Sequence, residues 1–141
     1  MNVLVCIKQV LDNAVVPKLG PDGKVVKEGV ETMVSPFGLN AVEAALKLTE
    51  EHGGEVSVLT VGDESCKTAL RIALSMGAAK AYLVSDPALE DSDGWATSYT
   101  LAKAIQSIGS FDVILCGKQA IDDDAGQVGA GIAEQLGISQ M

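Results

Sequence analysis

The sequence predicts an α/β fold: a doubly wound, mainly parallel sheet with helices on both faces. Three observations predict it. Four strand-length runs rich in Val, Ile and Leu lack the apolar–polar alternation of a half-solvated sheet, so both faces of each must be covered. Helix-period patterns separate these runs one by one, and that alternation yields parallel strands joined by right-handed crossovers. Apolar residues make up 48% of the chain but aromatics only 4%, so the core must be aliphatic.

The first run is "NVLVCI" at 2–7, and "EVSVLTV" at 55–61, "KAYLV" at 80–84 and "FDVILC" at 111–116 are the others. Between them, residues 39–51 place Leu39, Val42, Ala45 and Leu46 on one face and Asn40, Glu43, Lys47 and Glu50 on the opposite one. His52-Gly53-Gly54 ends that helix. In 64–76 the apolar stripe is Cys66, Leu70, Ala73 and Leu74, with Asp63 as N-cap and Gly77 as the stop. Leu101, Ile105 and Ile108 recur helically in 95–108, as do Val128, Ile132 and Leu136 in 125–136. Residues 14–30 break the alternation. Their short β-prone pieces around Pro21-Asp22-Gly23 predict a hairpin excursion between the first strand and the first helix. The last helix runs out at "LGISQM", where another strand is expected. Residues 1–141 therefore read as one α/β domain cut before its last strand.

Charge and cysteines narrow the function. A net charge of −9 spread along the chain opposes a nucleic-acid partner, which needs clustered Lys and Arg. Cys6, Cys66 and Cys116 are odd in number and far apart, and His52 is the single histidine, so neither zinc nor a disulfide framework is expected. Reduced thiols in apolar runs point to a cytoplasmic location. No signal peptide or membrane insertion is expected from "MNVLVCI". No nucleophile–base pattern appears, so no catalytic residue is assigned.

In an open parallel sheet, ligands bind beyond the carboxyl ends of the strands. The candidate loops are "KQV" at 8–10, "VSPFGLN" at 34–40, "VGDES" at 61–65 and "GKQAIDDDAGQVG" at 117–129. Gly117 lacks a Cβ and would allow a ligand close to the strand end. Asp122, Asp123 and Asp124 sit at a helix entry, where at least one is expected to cap free N–H groups and another to meet a ribose hydroxyl. Phosphate would then be held by main-chain N–H groups of a helix opened by Gly126, Gly129 and Gly131. Lys8 and Lys118 are the candidate phosphate contacts. A metal among the aspartates is not expected, because consecutive loop residues seldom converge on one ion.

The segments "MNVLVCIKQV", "VSPFGLNAVEAAL", "TALRIALSMGAAKAYLV" and "GKQAIDDDAGQVGAGIAEQLG", in this order, resemble the β-subunit of electron transfer flavoprotein. The resemblance covers nearly the whole chain, and G-K-Q-A-I-D-D-D is its most specific part. It implies a domain of the adenine nucleotide α-hydrolase kind, paired as a heterodimer with an electron transfer flavoprotein α-subunit. Such a pair carries electrons between dehydrogenases through FAD, and the subunit itself is an electron carrier, not an enzyme. The β-site holds AMP in simple members and a second FAD, reduced by NADH, in electron-bifurcating members. Carried over by residue, the pocket comprises Cys6, Ser35, Pro36, Phe37, Gly38, Val61, Gly117, Lys118, Gln119, Ala120, Ile121, Asp122, Asp123, Asp124, Ala125, Gly126, Gln127 and Val128.

This chain mixes the two kinds. Its three aspartates are similar to AMP-binding members, whereas "QVG", "SDGWATSYTLAKAI" and "CIKQV" are similar to bifurcating ones. Ser35 stands where the family commonly has Asn, and Ala125 where bifurcating relatives carry Thr. FAD or AMP is therefore the expected cofactor. The alternative, from another class, is a stand-alone ATP- or AMP-binding regulator of the stress-protein kind. Gly126 and Gly129 fit the opening of its glycine loop, and nothing downstream completes it. A phosphoacceptor domain is excluded, since it needs an acidic pair where this chain has Lys8-Gln9-Val10.

Overall fold

Each of the four apolar runs forms a strand of one parallel sheet in the computed structural model, which describes residues 1–141. These strands are β1 (Asn2–Cys6), β4 (Glu55–Val61), β5 (Lys80–Val84) and β6 (Val113–Cys116). Their spatial order is β5-β4-β1-β6, with Cys6 beside Leu59 on one side and beside Cys116 on the other. The helices are α1 (Pro36–His52), α2 (Lys67–Met76), α3 (Gly94–Ile108) and α4 (Val128–Leu136). Side chains alternate across a strand. Val3, Val5, Val56 and Val58 therefore pack with α1 and α2 through Val42, Ala45, Leu70 and Ala73. Leu4, Cys6 and Leu59 pack on the other face with Leu101 and Ile105 of α3 and Ile132 of α4. No aromatic side chain is among the buried residues, as the composition predicts.

The excursion holds a small element absent from the sequence reading. Gln9–Leu11, expected as a strand-end loop, is strand β2, paired antiparallel with β3 (Thr32–Val34). Three residues are too few to display a period. The two strands clamp the base of the excursion, whose tip is the expected hairpin. There Gly20 and Lys24 pair across the turn, Leu19 bridges Val25, and Gly23 takes φ +76°. The tip exposes apolar side chains, with Val16 81% and Leu19 70% accessible.

Helix boundaries shift where capping decides them. α1 begins three residues before the apolar period does, because Pro36 at its first position presets φ and lacks an N–H that would be unsatisfied there. Asp63 accepts from Ser65 N at 2.8 Å and starts a single 3₁₀ turn that leads into α2. Leu74, placed on the apolar stripe of α2, is instead 40% accessible, one step outside the arc that meets the sheet. α4 starts at Val128, three residues later than expected, so Gly126 lies in the preceding loop at φ +62°. No helix is long and apolar enough to cross a membrane.

α3 depends on its cap. Asp93 accepts from Ala96 N at 2.8 Å. Asp93→Ala is expected to cost about 1 kcal/mol in urea unfolding, whereas Asp93→Asn, which keeps the acceptor, should stay within about 0.5 kcal/mol of the parent.

Candidate functional site

The chain leaves β1 toward β4 on one side, whereas β6 joins β1 from the other. The carboxyl ends of β1 and β6 therefore flank the topological switch point, where open sheets leave a crevice. A cavity of about 1020 Å³ occupies that position, large enough for a cofactor. Cys6, Lys8, Ser35, Gly38 and Val61 line it, together with Gly117–Ala120, Asp122, Asp123 and Ala125–Val128. Pro36, Phe37, Ile121 and Asp124, also among the predicted site residues, do not line it.

The three aspartates do not cap α4. The position before that helix is Gln127, with no side-chain cap bond. Asp122 is instead paired with Lys8, whose Nζ lies 2.7 Å from its Oδ2, and Asp123 adds a longer contact at 3.4 Å. Asp123 also accepts from Ala125 N at 3.1 Å, closing a turn. Asp124, held at φ +50°, accepts from Gln119 Nε2 at 2.9 Å. The carboxylates thus shape the loop and tie it to the end of β1. Lys8 neutralises part of their charge. The pair is half-exposed, so its worth lies in position more than in stability.

Gly117 has a close neighbour within the protein itself. A Cβ at this position would lie 3.0 Å from Phe37 Cβ and 3.1 Å from Gly38 N. The missing side chain brings the start of α1 against the end of β6, and Gly117 also lines the cavity. That contact sets Ser35 on the cavity wall. Ser35 is 2% accessible, and its Oγ has no hydrogen-bond partner in the protein. Buried hydroxyls are normally satisfied, so this one has capacity for a bound group.

At the floor, Cys6 and Cys116 are side-by-side partners in the β1–β6 ladder. The Cys6 and Cys116 thiols are neighbours on the same sheet face. The neighbouring thiol holds Cys116 below the ordinary thiol range and raises Cys6, which burial raises further. Cys66 lies elsewhere, also raised by burial.

Sequence reasoning missed one wall. Segments of 85–94 also line the cavity. Residues 85–94 follow β5, so the rule that selected the other strand-end loops points to them as well. Asp86 and Asp93 there cap local turns, and Asp91 pairs with Lys24 of the hairpin. Lys27 also reaches the rim from the excursion, which no local pattern signals.

Residues 22–141 match the family model for the electron transfer flavoprotein domain. The chain is 45% identical to Protein FixA of Azorhizobium caulinodans, over all of this chain and 52% of that protein. It is 45% identical to the electron transfer flavoprotein subunit beta of Thermoanaerobacterium thermosaccharolyticum, over all of this chain and 54% of the relative. It is 46% identical to the caffeyl-CoA reductase-Etf complex subunit CarD of Acetobacterium woodii, over 96% of this chain and 52% of the relative. The chain thus spans about half the length of these relatives. With the parallel sheet in place and the family model covering most of its residues, the chain belongs to the electron transfer flavoprotein family.

Proposed function

We propose that this chain is the nucleotide-holding part of an electron-transfer β-subunit, and that an adenine nucleotide, FAD or AMP, occupies the cavity between β1 and β6. The observation that carries the reading is the buried, unpartnered Ser35 hydroxyl on the wall of a cofactor-sized crevice at the switch point. Ser35 Oγ would meet a polar group of the nucleotide. Main-chain N–H groups around Gly117–Ala120 and at Gly126 would meet its phosphate, with Lys118 as the nearby cation. Asp122, through Lys8, holds the loop in register with β1. FAD supplies electron-carrying chemistry when bound, and AMP supplies none; the protein contributes position and electrostatics.

The whole assembly follows the same reading. The chain would pair with an electron transfer flavoprotein α-subunit and exchange electrons with a dehydrogenase, and with NADH in the bifurcating version. The exposed apolar hairpin supports a partner, since side chains such as Val16 and Leu19 are covered more often than left in water. Three free cysteines suit a cytoplasmic location.

Mass spectrometry of nucleotides released by denaturing the full-length protein, purified with its co-expressed partner, tests the proposal. FAD alone at two per complex is the bifurcating outcome, and one FAD with one AMP the simple one. A complex that releases no adenine nucleotide attributable to this subunit overturns the reading.

A further inference from the structure

Two of the three cysteines meet on the cavity floor, and the nucleotide reading gives neither a necessary chemical role. Cys6 and Cys116 end adjacent strands in matched register. Both belong to the sheet face that packs on α3 and α4, so their side chains lie on the same side. Neighbouring strands are about 4.8 Å apart, and a disulfide spans Cα separations of about 4.4–6.8 Å. The two sulfurs are therefore within bonding range after a small movement. Both residues border the cavity, so a small solute in it reaches them. Cys6 is 8% accessible and Cys116 is more open.

We propose that Cys6 and Cys116 form a reversible dithiol switch, in which oxidation by a hydroperoxide links β1 to β6 and lowers nucleotide affinity. The affinity half of this proposal rests on the nucleotide reading above; the linkage half does not. Cys116 is the attacking group, being the more accessible of the two. Its sulfur attacks a peroxide oxygen, the O–O bond breaks, and hydroxide leaves and takes up a proton to give water. The sulfenic acid so formed is attacked by Cys6 sulfur, the S–O bond breaks, and a second water leaves. Two thiols and one hydrogen peroxide thus become one disulfide and two waters, with two electrons passing from sulfur to oxygen.

The bond must be labile. A disulfide prefers Cβ atoms about 3.8 Å apart, closer than the strand spacing provides, and strained disulfides are the easily reduced ones. Closing the gap pulls the end of β6 toward β1. Gly117 and the loop through Gly126 follow directly from Cys116, and Lys8 lies two residues past Cys6, so both anchors of the Lys8–Asp122 pair move. Gly129 stands against Cys116, its would-be Cβ 3.3 Å from the cysteine's, so the start of α4 is disturbed as well. Cys66 does not line this cavity and should not take part.

Trypsin releases Cys6 within residues 1–8, Cys116 within 104–118 and Cys66 within 48–67. The full-length protein, treated with hydrogen peroxide, alkylated and digested, should give the 1–8/104–118 pair joined, two hydrogens lighter than the sum of the free peptides. Dithiothreitol should separate them. Titration with FAD and with AMP should show affinity at least about tenfold weaker in the linked than in the reduced protein. In Cys116→Ser, peroxide-treated and untreated protein should bind alike, whatever their absolute affinity. Absence of the joined peptide, with residues 104–118 still alkylated, overturns the switch. So does a linked protein that binds as tightly as the reduced one. Failure of the reduced protein to bind either nucleotide overturns the nucleotide reading instead, and leaves the linkage result standing.

Discussion

Gly117→Ala should destabilise the protein by about 1–3 kcal/mol and, on the proposed nucleotide reading, cost it most of its nucleotide, although only one methyl group is added. The reason is contact. The new Cβ would stand 3.0 Å from Phe37 Cβ and 3.1 Å from both Gly38 N and the Phe37 carbonyl carbon. Two of these three neighbours are main chain in the first turn of α1 and cannot rotate away as a side chain would. The φ of Gly117 is not in the left-handed region, so backbone strain adds nothing. Relief requires α1 to retreat from β6, carrying Ser35 and Gly38 off the cavity wall. Gly117→Val enlarges the effect with two further methyl groups. Urea unfolding of the substituted protein, together with the nucleotide content of the purified complex, measures both consequences. Stability within about 0.5 kcal/mol of the parent would refute the close-approach argument.

The contrast between Gly117 and the strands shows which parts of this molecule were legible in its residues. The four apolar runs became the four parallel strands within a residue or two of their ends, because burial on both faces leaves a continuous hydrophobic signature. The stops at Gly53 and Gly77, and the cap at Asp63, are local chemistry carried by single residues. The β2–β3 ribbon was not legible, since two three-residue strands 20 residues apart are defined only by meeting each other. The site behaved in the same way. The strand-end rule located the cavity and most of its lining. The work of the aspartates depended on Lys8, more than 110 residues away in the chain, and so could not be read from the helix-entry pattern around them. Gly117 likewise faces Phe37 and Gly38, which no spacing within 117–131 encodes. Most residues chosen by pattern border the cavity; what they touch was decided by topology.

The second large effect concerns the joint behind the site. Gly131→Ala ought to stabilise α4 by close to 1 kcal/mol on helix propensity alone. The structure predicts the opposite, a loss of about 2 kcal/mol, because α4 lies too close to α3 for a methyl group. A Cβ on Gly131 would fall 2.7 Å from Ser98 Cβ, and turning the Ser98 side chain does not move that atom. Ser98 is buried and fixed, its hydroxyl donating to Gly94 O at 2.6 Å, with Val128 O also nearby at 3.3 Å. Overlap therefore outweighs propensity. Ser98→Gly removes the opposing Cβ, at its own cost in helix propensity and lost hydrogen bond. If the overlap is the cause, Gly131→Ala should be much less harmful in the Ser98→Gly background. The double substitution should then be more stable than the sum of the singles by about 0.5–3 kcal/mol. Simple additivity in a denaturation cycle would sink the argument. The consequence reaches the cavity, because α4 presents Val128 and Gly129 to it and α3 presents Thr97 and Leu101. Spreading the two helices widens the back wall, so on the proposed nucleotide reading Gly131→Ala should weaken nucleotide retention along with stability, and Ser98→Gly should restore part of both.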